Sequence, residues 1–110
     1  MLTRTKRFIN LETLQTVKPR EFCRLWFNAT DDDEQVRGYR AKCVQLLSRI
    51  LGVKPETISS KWGEGIEFNQ MPEQYEKTLA YANSLREIID AAGKNPDLAD
   101  LIIERIKSLH

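Results

Sequence analysis

Residues 44–62 read V-Q-L-L-S-R-I-L-G-V-K-P-E-T-I-S-S-K-W, and the fold turns on how this stretch is parsed. Leu46, Leu47 and Ile50 continue an apolar pattern that starts upstream with Val36, Tyr39 and Cys43, at the three- and four-residue spacing of one buried helix face. Gly52 then stops the helix, because glycine takes the left-handed conformation just past a helix end without a Cβ penalty. Pro55 stands where a second helix can open on a residue that lacks an N–H. Residues 55–62 follow as a short helix with a polar outer face. Apolar side chains at Leu47, Leu51, Val53 and Ile58 would lock the two helices onto a third.

Outward from this corner the chain keeps reading as helix. Residues 19–28 (P-R-E-F-C-R-L-W-F-N) carry an apolar stripe of Phe22, Leu25, Trp26 and Phe27, expected in the core. Before them, residues 8–17 present Ile9, Leu11, Leu14 and Val17 as a short helix or an extended arm. The first helix of the corner should begin in T-D-D-D-E at 30–34, where acids favour the positive end of the helix dipole. The acid run Asp31 to Glu34 reads as that helix start and a solvated loop, with no glycine to shape a calcium site. G-E-G-I-E-F-N-Q at 63–70 reads as a loop. A helix over 72–92 follows, with Tyr75, Leu79, Ala82, Leu85, Ile88 and Ile89 as its core stripe and Gly93 as its stop. Asn95-Pro96 caps a last helix to about 109, with Leu98, Leu101, Ile102 and Ile106 facing inward and Lys107 near its end. No stretch alternates apolar and polar residues as a half-buried strand does. The expectation is an all-α single domain of about five helices. It divides into a basic arm or short helix (1–18), the helical corner (36–62) and a C-terminal helix pair (72–109).

At 110 residues the chain is long enough for one core without cross-links. Apolar residues at 41% and charged residues at 30% belong to a folded domain and not to a disordered segment. No run of eighteen apolar residues exists to span a bilayer. The opening M-L-T-R-T-K-R-F-I-N is basic but lacks the apolar stretch and cleavage site of a signal peptide, so the expected compartment is cytoplasmic. Cys23 and Cys43 are too few for a disulfide framework or a zinc site and read as buried thiols; whether folding brings them together is open. His110 has no ligand cluster around it, and no cofactor is expected. Charge is uneven: residues 1–62 hold 12 Lys+Arg against 7 Asp+Glu, and residues 63–110 hold 5 against 9. A basic half joined to an acidic half points to an anionic partner on one face.

The stretch 44–62 resembles the helix-turn-helix of phage-repressor-like DNA-binding proteins. Gly52 falls in the turn, Val53 follows as its small buried residue, and Thr57-Ile58-Ser59 stands where that family often has Thr-Ile-Ser or Thr-Val-Ser. Ser48 replaces the usual alanine, and Lys54 replaces the usual hydroxyl cap. Lys61 takes a commonly apolar position, with the aromatic Trp62 one residue late. The resemblance implies that the helix over 55–62 enters the major groove of double-stranded DNA.

On that implication the outward readers are Lys54, Glu56, Thr57, Ser59, Ser60 and Lys61. Lysines and hydroxyls reach phosphates, and lysine also donates to guanine edges. The helix has no Arg, Asn or Gln for bidentate base contacts, so modest base specificity is expected. Arg37, Arg40, Lys42 and Arg49, with Arg4, Lys6 and Arg7 of the arm, are the candidate phosphate contacts. One such helix buries too little to be selective, which implies a homodimer, expected through the helices of 72–109. The competing reading is a non-catalytic helical adaptor that binds a protein partner and keeps the corner only as structure. A nucleophile elbow, a phosphate-binding glycine loop and an internal histidine base are all missing from the sequence, so no enzyme is expected.

Overall fold

A computed structural model describes residues 16–109, and all regular structure among them is helical. Helix α1 (Pro19–Phe27) opens on a proline and closes at Asn28, which adopts the left-handed conformation with φ 52°. The single turn α2 (Asp31–Glu34) is fixed by a capping box. Thr30 Oγ1 accepts from the Asp33 N–H at 3.2 Å, and Asp33 Oδ2 accepts from the Thr30 N–H at 2.8 Å. Helices α3 (Tyr39–Leu51) and α4 (Pro55–Lys61) make the corner. A 3₁₀ turn (Glu73–Tyr75) leads into α5 (Glu76–Ala92), and α6 (Pro96–Ser108) starts under an Asn95 cap, whose Oδ1 accepts from Leu98 N–H at 3.2 Å.

The core is assembled from α1 (Phe22, Cys23), α3 (Tyr39, Cys43, Val44, Leu47), α4 with its cap (Ile58, Trp62), the following loop (Phe68) and α5 (Leu79). Helix α3 is its centre, packing on α1, α4 and α5. Phe68 was expected only as loop, yet it is fully buried while holding φ 46°. Left-handed backbone costs a non-glycine residue roughly 1–2 kcal/mol, and burying a phenylalanine side chain returns about 1.5–3 kcal/mol. Burial therefore carries the loop into this shape.

Several expectations need correction. The helix expected to run unbroken from the acid cluster to Ile50 is interrupted at residues 35–38. Helix α2 ends at Glu34 with Gln35 as its cap, and Gly38, with φ 92°, stands at the start of α3 in a conformation that glycine adopts without strain. Val36 then falls off the buried stripe and is 61% exposed, so the corner begins at Tyr39 and not at 36. Glu34 is not solvated: its carboxylate is enclosed by α1, accepting from Arg20 Nε (3.1 Å) and Nη2 (2.9 Å) and from Arg24 Nη1 (3.0 Å). Arg20 also reaches Glu67, which ties the loop to the same cluster. In α1, Leu25 and Trp26 stay partly exposed beside the buried Phe22 and Cys23.

The largest correction concerns the C-terminal pair. Leu79 and Ala80 are buried and Tyr75 and Ala82 half-buried, but the lower part of the predicted α5 stripe, Leu85, Ile88 and Ile89, is exposed. In α6, Leu98, Leu101 and Ile106 are exposed, only Ile102 and Ala99 are half-covered, and no residue is buried. The apolar periodicity is present, but the described part of the chain does not fold over it. Among the described residues, no helix is long and apolar enough to cross a membrane.

Candidate nucleic-acid interface

The α3–α4 corner is held from both sides of its turn. Gly52 (φ 71°) donates its N–H to Ser48 O at 2.9 Å and turns the chain left-handed. Lys54 brings no side-chain cap, but its carbonyl accepts from the N–H groups of Thr57 (3.0 Å) and Ile58 (3.2 Å), which starts α4 cleanly on Pro55. Ile58 is the one fully buried side chain of α4. The misplaced aromatic is resolved by the helix end. Helix α4 stops at Lys61, and Trp62 swings into the core with its ring 5.3 Å from that of Tyr75.

Arg40 fixes the other side. Its Nε donates to Gly65 O (2.7 Å), Nη1 to Ser59 Oγ (3.2 Å), and Nη2 to Ser59 O (3.1 Å) and Gly63 O (2.9 Å). The guanidinium also lies 5.1 Å from the centre of the Phe68 ring. A cation at a helix C-terminus satisfies carbonyls that the helix leaves open and complements its dipole. This withdraws Arg40 from the phosphate contacts expected of it: the side chain is a clamp that sets the angle of α4, and Ser59 is part of the clamp. Ser60 Oγ is turned back onto Glu56 O at 2.7 Å.

What α4 offers to solvent is Lys54 at its start, Glu56 and Ser60 on its outer face and Lys61 at its end, with Thr57 half-covered. Arg37 is exposed in the link before α3. Lys42 and Arg49 stand on a different face. With Gln45 they border a groove of about 670 Å³ between α1 and α3, floored by Trp26, Phe27, Leu46 and Ile50. Lys42 Nζ sits 4.5 Å from the centre of the Phe27 ring. Gln45 and the groove carry no local signal in the sequence, because α1 meets α3 only in the folded chain. Arg4, Lys6 and Arg7 lie outside the described residues.

The two thiols, left open by sequence, are side by side in the core, and both are free. Contact with the other thiol and burial hold Cys23 far above the ordinary thiol range. Tyr39 Oη is buried without a hydrogen-bond partner among the described residues, and the Cys43 thiol is a polar neighbour. Among the described residues no His, Cys, Asp or Glu cluster is placed to hold a metal ion. Comparison with protein-family models, curated proteins and solved structures returned no match, so the reading of this surface rests on its residues and their geometry.

Proposed function

We propose that the chain binds double-stranded DNA as a small transcriptional regulator, with α4 as the helix that enters the major groove. The observation that carries the reading is the pose of α4. One residue, Ile58, is buried; the two ends are fixed by Gly52 and by Arg40 with Trp62; and Glu56, Ser59, Ser60 and Lys61 are exposed, with Pro55 and Thr57 half-covered. A seven-residue helix is about 10 Å long at 1.5 Å per residue, the span of roughly three base steps. Lys54 and Lys61 bracket that span and suit phosphates or guanine edges, while Glu56 between them suits a cytosine amino group. Arg37, exposed in the link before α3, is the further phosphate contact, while Lys42 and Arg49, on the groove face of α3, fall outside the surface that α4 presents. With few bidentate donors, the helix fits a reader of modest base selectivity.

The test is binding of mixed-sequence duplex followed by anisotropy across a salt series. Affinity is expected to fall with salt at a log–log slope near −0.9 per phosphate neutralised. Replacing Lys54 and Lys61 together by alanine, with helicity checked by circular dichroism, is expected to weaken binding and make the slope shallower by about 2. Absence of any duplex binding at low salt defeats the reading.

One observation favours a second reading, a non-catalytic adaptor for a protein. The α1–α3 groove joins an aromatic floor to two cations, which suits an acidic amphipathic segment. A partner held there would be lost on Leu46→Asp and would be indifferent to Lys54 and Lys61.

A further inference from the structure

Among the described residues, exposed apolar side chains are concentrated on α5 and α6. Leu85 and Ile89 of α5 are 58% and 57% exposed, and Leu101 and Ile106 of α6 are 61% and 53%. Helix α6 runs for 13 residues without one buried side chain, resting mainly on α5. An amphipathic helix holds its apolar stripe in water at a cost of roughly 25 cal/mol per Å². Nine large apolar side chains of this hairpin are exposed; on α6 and its C-cap, Leu98 and Leu109 lie within about 80° of Leu101 round the helix, whereas Ile103 and Ile106 lie about 140–160° from it.

The sequence of α6 also says which partner fits. Asp97, Leu101 and Arg105 are four residues apart and so form one ridge along the helix, acid, apolar, base. Neither charge is paired within the described residues. Turned end for end about Leu101, this ridge complements itself: Asp97 meets Arg105 of the other copy on both sides, and leucine meets leucine. A surface that complements its own twofold mate is the signature of an isologous dimer.

We propose that two copies of this chain associate through their α5–α6 hairpins, with the two α6 helices antiparallel and crossing at Leu101. The partner is a second copy, and the result is a four-helix assembly of the two hairpins. The inference does not depend on what α4 binds.

Sedimentation of the 110-residue chain tests it. The wild-type protein is expected at twice its 12.8 kDa chain mass at about 100 µM, and Leu101→Asp is expected to weaken the dimer by about 100-fold or more while remaining helical. The register is tested by two charge variants. Arg105→Glu places acid against acid twice in its homodimer, and Asp97→Lys places base against base twice. Each alone is expected to dimerise at least ~10-fold more weakly than wild type. Mixed, they restore both opposite-charge contacts, so native mass spectrometry should find the heterodimer in excess of both homodimers. The heterodimer carries the same substitutions as its parents, so any loss of helix stability is common to both and cannot produce the difference. A wild-type chain that remains a monomer overturns the proposal. A folded Leu101→Asp that still dimerises, or a mixture no tighter than its parents, overturns it as well.

Discussion

Glu34 keeps its negative charge out of water because two arginines one helix away are aimed at it. Its side chain is 1% exposed, and Arg20 grips both oxygens. The hydrogen bond from Arg20 holds the Glu34 carboxyl below its ordinary value, against the opposing effect of burial. A folded-state value lowered in this way means that the ionised form is favoured by folding. The stability it brings is fully present above the ordinary glutamate value of 4.5 and is lost as pH falls through the lowered one. Thermal midpoints followed from about pH 7 to pH 3 are expected to drop along this acid limb. Glu34→Gln should lower the midpoint at neutral pH and flatten the limb. Part of the slope would remain through Asp33, whose carboxyl is lowered by its Thr30 contacts. The acid run in the sequence announced a helix start, which Thr30 and Asp33 make. That its last member turns inward depended on Arg20 and Arg24, residues of another helix that local reading does not connect.

At the scale of the element, the corner owes its shape to one backbone conformation. A Cβ added to Gly52 would meet no atom within 4 Å, so replacement is opposed by φ 71° and not by crowding. Gly52→Ala is therefore expected to destabilise the fold by about 1 kcal/mol in a urea titration, with Gly52→Asn costing less, because asparagine tolerates the left-handed region. A loss of several kcal/mol would mean that the turn is crowded after all. The corner was legible because its signals are local: a terminating glycine, a proline opening the next helix and Ile58 as anchor. The break before it was less so. Gly38 lies inside an apolar period that continues through it, and periodicity alone does not reveal where a backbone reverses. Phe68 and Arg40 were hidden for a further reason. An aromatic in a glycine-bearing loop and an arginine on a polar helix face acquire their roles only when α3, α4 and the loop meet.

For the molecule as a whole, the buried cluster joins α1, α3, α4 and α5, while the C-terminal hairpin extends the chain beyond it. Helix periodicity correctly located the apolar stripes of α5 and α6 but does not say which molecule covers them, and there the expectation of an intrachain core failed. The placement of the two tryptophans has a further consequence. Trp62 is 3% exposed against Tyr75, and Trp26 is 40% exposed in the floor of the α1–α3 groove. The chain thus carries two built-in optical reporters that watch different events. In Trp26→Phe, the remaining emission should be blue-shifted and shielded from acrylamide until the fold opens. In Trp62→Phe it should be red-shifted and quenched at once. A ligand seated in the groove would then brighten or dim Trp26 while leaving Trp62 dark to the encounter, and an opening of the α3–α4 corner would do the reverse.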